Sequence, residues 1–237
     1  MYRNLSISLV LPARNEAEGL RHLLSLVPDW LDEILVVDSS TDDSPEVAQA
    51  MGARVISSMA HGYGRALKTG FKASSGEIIV AMDADGSYPV ESSVLETLVD
   101  RLIDDDLHFL STSRFPMPFD PLVMPWSRFL GNRLVTAWAN ILFQQHIQDV
   151  LSGMWVFRNT LLPRLTSLSN DWNFSQEIKL ACFTDPTLRC AEHRIPYGRR
   201  IGTSTLDQHP LDLARVGLGN LRRLWNWRWK GGLRRRA

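Results

Sequence analysis

The sequence predicts an α/β fold, a mostly parallel sheet with helices on both faces, closed by a C-terminal amphipathic helix. Two observations point to it. Short aliphatic runs alternate along the first half with stretches of helical spacing, which is how strands and crossover helices of a parallel sheet are written. Three of those runs then end in polar residues, Arg14-Asn15-Glu16, Asp38-Ser39-Ser40 and Asp83-Ala84-Asp85. Sheets of this kind bind ligands at the carboxyl ends of their strands.

Taken in order, Ser6–Pro12 is a strand, and Glu16–Leu26 has helical spacing at Leu20, Leu23 and Leu24. Glu33–Asp38 is a second buried strand, followed by a helix over Ser44–Met51 and a strand over Arg54–Ser57. Arg65–Ser74 is helical, Glu77–Met82 a strand, Glu91–Ile103 a helix and Leu107–Thr112 a strand. The second half changes character. Phe115–Pro125 holds four prolines and should be an irregular loop. Trp126–Phe143 is an apolar helix carrying Arg128 and Arg133. Leu151–Phe157 reads as a strand, Phe174–Phe183 as a helix and Leu188–Ile195 as a strand. A basic, Trp-rich helix, Leu211–Trp229, closes the chain. No repeat or low-complexity linker divides it, so residues 1–210 read as one domain and 211–237 as a tail.

Composition narrows the class. The chain has 237 residues, 44% of them hydrophobic and 22% charged, enough apolar material for a core and too much for disorder. Net charge is zero but unevenly placed: Leu211 to the end carries eight Lys/Arg against one acid, leaving the rest at −7. A basic tail on an acidic body suits an anionic partner. In the tail, Leu211, Ala214, Leu218, Leu221 and Trp225 fall near one helical face, and the tryptophans beside arginines suit a lipid headgroup boundary. No nucleic-acid module is present, so nucleic acid is not the expected partner. Two cysteines in no metal-like or disulfide spacing fit a reducing compartment. There is no signal-peptide pattern, and no run reaches the roughly 18–20 apolar residues of a spanning helix. The expected place is the cytoplasm, peripheral on the inner face of the membrane.

The chemistry gathers on Asp83 and Asp85. Two carboxylates one residue apart repel unless a cation or hydrogen-bond donors share them. A divalent ion carrying a diphosphate is a natural partner, since Mg²⁺ favours one or two carboxylates plus phosphate oxygens; a solvated acid pair ahead of the Gly86-Ser87 turn is the plainer alternative. Gly62-Tyr63-Gly64 opening a helix, with Lys68 one turn in, suits a phosphate, although no dinucleotide or P-loop signature surrounds it. No HExxH pattern and no serine elbow occur.

The motifs LPARNE (11–16), ILVVDSSTDDS (34–44), HGYGRALKTGF (61–71), MDADGSYP (82–89), SRF (113–115), SGMWVFR (152–158), FSQEIKLA (174–181) and RRIGTSTL (199–206) stand in the order seen in family 2 glycosyltransferases. Over residues 5–208 the chain resembles the dolichyl-phosphate mannosyltransferase and polyprenyl-phosphate glycosyltransferase branch. The resemblance implies a GT-A fold and transfer of a hexose, with inversion, from a UDP- or GDP-sugar. It implies a divalent metal, Mg²⁺ or Mn²⁺, as cofactor. Pro12, Ala13, Glu16 and Asp38 would line the nucleotide pocket, continued by Asp83 and Ala84. Asp85 would be the main metal ligand, with Ser87 where a second coordinating side chain often stands. Arg114, Arg133 and Arg200 match basic residues that hold the donor diphosphate and acceptor phosphate, and Glu177 matches an acid near the acceptor. Two departures stand out: Ser39 replaces a common second acid, and Thr205 replaces a common Lys.

The acceptor implied is a polyprenyl or dolichyl phosphate. Alternatives are a soluble or saccharide hydroxyl, for which Asp149 or Glu177 would be the base, and an inactive sugar-nucleotide-binding subunit. The partners considered beside the membrane surface are a homo-oligomer and a separate membrane subunit.

Overall fold

The computed structural model describes residues 1–58, 62–115, 120–202 and 210–229, with side chains from residue 217 onward in the last stretch. His61 and Ser204-Thr205-Leu206, quoted above, lie outside the described residues.

Seven strands form one sheet: β1 (Ile7–Ala13), β2 (Glu33–Asp38), β3 (Arg54–Ser57), β4 (Ile78–Ala81), β5 (Phe109–Ser113), β6 (Trp155–Arg158) and β7 (Cys190–Arg194). Their spatial order is β3-β2-β1-β4-β6-β5-β7. All neighbours are parallel except β6, which runs antiparallel between β4 and β5. The helices are α1 (Ala17–Leu24), α2 (Ser44–Ala50), α3 (Tyr63–Ala73), α4 (Ser92–Asp104), α5 (Trp126–Phe143), α6 (Leu162–Leu165), α7 (Phe174–Phe183) and α8 (Pro210–Trp229).

The period of two in the strands explains the layers. Ile7, Leu9 and Leu11 of β1, with Ile78 and Val80 of β4, point to one face, where they meet Leu20 and Leu23 of α1 and Leu95, Leu98 and Leu102 of α4. Val10, Ile79 and Ala81 point to the other, against Leu67 and Phe71 of α3 and Phe174 and Ile178 of α7. A third cluster joins Val135, Ala139 and Phe143 of α5 to Leu180 of α7 and Leu224 of α8.

Most expected elements stand within a few residues of their predicted bounds. Three differ for local reasons. Helix α3 starts at Tyr63 rather than Arg65, because the N–H groups of Gly64 and Arg65 find carbonyls of Asp171 and Asn170. Strand β6 starts at Trp155 rather than Leu151, because Asp149 draws the Leu151 N–H to its Oδ1 (3.2 Å) and bends residues 149–151 into a turn. The short helical stretch over Asn159–Leu165 has too few residues for a period to be read. In α8 the three tryptophans divide. Trp227 packs on Phe143, whereas Trp225 and Trp229 are 49% and 56% exposed. Among the described residues no helix is long and apolar enough to cross a membrane.

Candidate active site

Strands β1 and β4 lie side by side, Val10 opposite Ala81, so their carboxyl ends open on one edge of the sheet. The loop after β1 is tied to the loop after β2. Asn15, in the left-handed region at φ 57°, accepts the Thr41 N–H on Oδ1 at 2.8 Å and donates its own N–H to Ser40 Oγ at 2.7 Å. Ala13 is paired with Asp38. The Asp38 carboxylate is 5% exposed and accepts from Ser40 Oγ (2.6 Å) and Ser40 N–H (3.1 Å), so it shapes the turn as well as ending the strand.

Asp85 sits at the centre. Its Oδ1 accepts from Ser87 N–H at 3.0 Å and from Ser87 Oγ at 2.5 Å. The hydroxyl expected to coordinate a metal is thus turned onto the carboxylate beside it. Its Oδ2 accepts from Arg200 Nη1 at 3.0 Å, while Arg200 Nη2 donates to Glu16 Oε1. Backbone pairing delivers that arginine: Ile201 N–H binds the Asp85 carbonyl at 2.9 Å, and Gly198 N–H binds the Ser87 carbonyl at 2.8 Å. The structure therefore brings together Glu16, Asp85 and Arg200 from three distant segments. Burial pushes Glu16 up to about 7, helped by Asp85 and Asp83 and opposed by Arg200.

Asp83 leaves the same strand end beside this cluster. Its Oδ1 accepts the Tyr63 hydroxyl at 2.8 Å. Burial, followed by the charge of Asp85, pushes its carboxyl up to about 7. Close approach of the backbone makes room for the pair: a Cβ at Gly153 would lie 2.8 Å from Asp83 Oδ2 and 3.0 Å from Tyr63 Oη. Glycine is the residue that fits there. Gly153 N–H in turn donates to Tyr88 Oη at 2.6 Å.

Other predicted residues stand in different company. Arg114 grips Asp149 with Nε (2.8 Å) and Nη2 (3.0 Å), with its guanidinium 5.6 Å from the Tyr197 ring centre. Burial alone would raise Asp149, but that guanidinium holds it below the usual carboxylate range. Glu177 is 3% exposed, with Arg223 on Oε1 and the Ser169 N–H on Oε2. Lys68 donates to the Leu168 carbonyl at 2.8 Å. Arg133 is exposed on α5, with its guanidinium 5.5 Å from the Phe115 ring centre. Sequence reasoning did not single out Tyr63 for its hydroxyl, Gly153, or Lys179. The last is wholly buried, donates to the Asp149 and Thr112 carbonyls, and is drawn down to about 8 by burial despite Asp149 and Glu192. A lysine inside the helical run FSQEIKLA carries no mark of its burial.

The model for "Glycosyl transferase family 2" matches residues 8–165. The chain belongs to this family. Among curated relatives it is 30% identical to the dolichyl-phosphate hexose transferase of Haloferax volcanii, over 85% of this chain and 86% of that one. It is also 30% identical to the low-salt glycan biosynthesis hexosyltransferase Agl6 of the same organism, over 86% of this chain but 51% of that one, so it spans about half of Agl6. The structure of glucosyl-3-phosphoglycerate synthase from Mycobacterium tuberculosis with Mn²⁺, UDP and phosphoglyceric acid superposes with a TM-score of 0.70 at 25% identity, over 95% of this chain and 78% of that one. The α/β architecture is that of the family's GT-A members.

Proposed function

We propose that this family 2 chain is an inverting hexosyltransferase that uses a divalent metal and moves a sugar from a nucleotide diphosphate to a polyprenyl phosphate at a membrane surface. The observation that carries this reading is the strand-end cluster, in which the Arg200 guanidinium binds Glu16 and Asp85 beside Asp83. Burial, the first cause in each case, pushes two of the three acids up to about 7, and a bound cation would favour their ionised forms. Mg²⁺ or Mn²⁺ would suit the Asp85 carboxylate, since Mg²⁺ takes one or two carboxylates plus phosphate oxygens. Among the described residues no group of three or more His, Cys, Asp and Glu is placed to hold a metal, so an ion on Asp85 would need further oxygens from the donor diphosphate.

Asp85 would hold the ion, with Ser87 fixing the carboxylate's orientation, and Asp83 would face the nucleotide. When bound, the metal supplies Lewis-acid stabilisation of the departing diphosphate. Arg200 would add a guanidinium to the diphosphate end of the pocket; its Nε is buried with no hydrogen-bond partner among the described residues. Pro12, Ala13, Ala84 and Asp38 would line the nucleoside end of the pocket, and Arg133 would remain for the acceptor. Arg114, held by Asp149, would act as a fixed positive charge behind Asp83.

The carboxylates already engaged favour a lipid phosphate as the acceptor. A hydroxyl needs a base, yet both oxygens of Asp149 and of Glu177 already accept hydrogen bonds. A lipid phosphate arrives ionised and needs none. The name of the similar dolichyl-phosphate hexose transferase points the same way. So does the outer face of α5 and α8, where Leu134, Trp138, Ile141, Leu218 and Trp225 line an apolar groove of about 640 Å³. With the basic C-terminal segment, this face suits peripheral attachment to an anionic bilayer. The test is a panel of UDP- and GDP-sugars with polyprenyl phosphate, with and without chelator. Transfer that needs metal and disappears in Asp85→Ala is expected. Faster transfer to a saccharide hydroxyl would overturn the acceptor.

A further inference from the structure

A continuous set of contacts joins the C-terminal helix to the donor acids. Arg223 of α8 donates Nε to Glu177 Oε1 at 3.1 Å, and Glu177 Oε2 accepts the Ser169 N–H at 2.7 Å. From α3, Lys68 donates to the Leu168 carbonyl at 2.8 Å. The segment 168–173 is thus held from two sides. It seats the start of α3 in turn: Gly64 N–H reaches the Asp171 carbonyl at 3.3 Å, and Arg65 N–H the Asn170 carbonyl at 3.0 Å. Gly64 permits this contact, since a Cβ there would lie 2.4 Å from the Ser169 carbonyl oxygen. Trp172 stacks on Tyr63 with ring centres 4.8 Å apart and planes 13° apart. Tyr63 ends the series by donating to Asp83 at 2.8 Å.

We infer that Glu177 and Arg223 are positioning residues for the donor site: they brace segment 168–173, which holds Tyr63 against Asp83. The role of Asp83 in donor binding is the proposed function above, and the inference rests on it. The geometry supplies the reason. Trp172 is 62% exposed, so burial alone does not keep its indole on Tyr63; the anchored backbone on either side of it does. Glu177 is nearly buried, and a buried carboxylate that loses its cation must find another partner or move. Movement of Glu177 releases the Ser169 amide, then the seat of α3 and the angle at which the Tyr63 hydroxyl meets Asp83. Alignment at that point matters because small misplacements near a reacting centre are costly. The C-terminal helix is on this view part of the donor pocket's support, not an appendage.

The experiment uses the full chain with Arg223→Met, Arg223→Lys, Tyr63→Phe and the Arg223→Met/Tyr63→Phe pair. Two readouts are taken: UDP and GDP titration with Mn²⁺ by calorimetry, and hydrogen exchange at the Gly64 and Arg65 amides. Arg223→Met should weaken nucleotide binding about three- to tenfold, the range for a half-exposed charged hydrogen bond, and should speed exchange at both amides while those of β1 keep their rates. Arg223→Lys should recover part of each effect. The paired variant should bind little worse than the weaker single one, since both changes break the same path. Unchanged exchange at Gly64 and Arg65 in Arg223→Met, or additive losses of affinity, would overturn the inference. If the wild type binds neither nucleotide while exchange still accelerates, the bracing stands and the donor reading fails instead.

Discussion

Asp83→Asn should stabilise the metal-free protein at pH 8 and stabilise it only about a third as much at pH 5. Asp83 has its carboxyl raised from 3.8 to about 7, first by burial and then by Asp85. A group raised in this way carries no cost while protonated in both states, below about pH 4. The cost grows as pH rises through the window from 4 to 7, where the unfolded chain ionises and the folded one does not, and is constant above it, where both are ionised. At 1.36 kcal/mol per pKa unit the full effect is about 4 kcal/mol. Asp83 keeps part of its surface exposed, so solvent screening brings the expected figure to about 1–2 kcal/mol. For a chain of this length that is about 2–8 °C in melting temperature. Asparagine keeps the Oδ1 acceptor for Tyr63, so the substitution removes charge with little change of shape. His108 and His193, both held below their ordinary value by burial, lose stability as pH falls. They do so equally in both proteins and drop out of the difference. Scanning calorimetry with chelator at pH 5 and pH 8 measures it. The same difference at both pH values, or a larger gain at pH 5, would refute the idea that Asp83 is an ionised acid short of a cation.

Other expectations follow from the same geometry. Gly153→Ala should weaken nucleotide diphosphate binding about tenfold with the fold intact, because its Cβ would press Asp83 and Tyr63 apart and cost a charged hydrogen bond; calorimetric titration checks it. Asp149→Asn should lower stability by about 3–5 kcal/mol in denaturant unfolding, since it leaves the Arg114 guanidinium and Lys179 without their buried counter-charge. Loss of activity in that variant would then reflect the support of Arg114, not a missing base. Leu134→Glu with Ile141→Glu, at positions 67% and 70% exposed, should keep the melting temperature and reduce flotation with anionic vesicles; unchanged flotation would take the α5–α8 face out of membrane attachment.

What could be read from the sequence and what could not divide along a physical line. Strand periodicity exposed β1, β2 and β4, and with them the edge where Glu16, Asp38, Asp83 and Asp85 emerge, because each of those facts is local. The partners of those acids are not local. Arg200 reaches Asp85 and Glu16 across 115 and 184 positions, and Arg223 reaches Glu177 across 46. An arginine in sequence shows only that a charge exists, not which carboxylate will spend it. The same limit hid the antiparallel insertion of β6 between β4 and β5, since a four-residue apolar strand carries no sign of direction. That strand bears on the site. By running back beside β4 it places Gly153, just before its start, against Asp83 and gives the Tyr63 hydroxyl room to reach the same carboxylate. The two acids of the DAD motif accordingly differ by neighbours the motif does not contain: a serine and an arginine orient Asp85, a tyrosine and a glycine shape the surroundings of Asp83. A motif names the groups that act; the topology decides which of them is left wanting a cation.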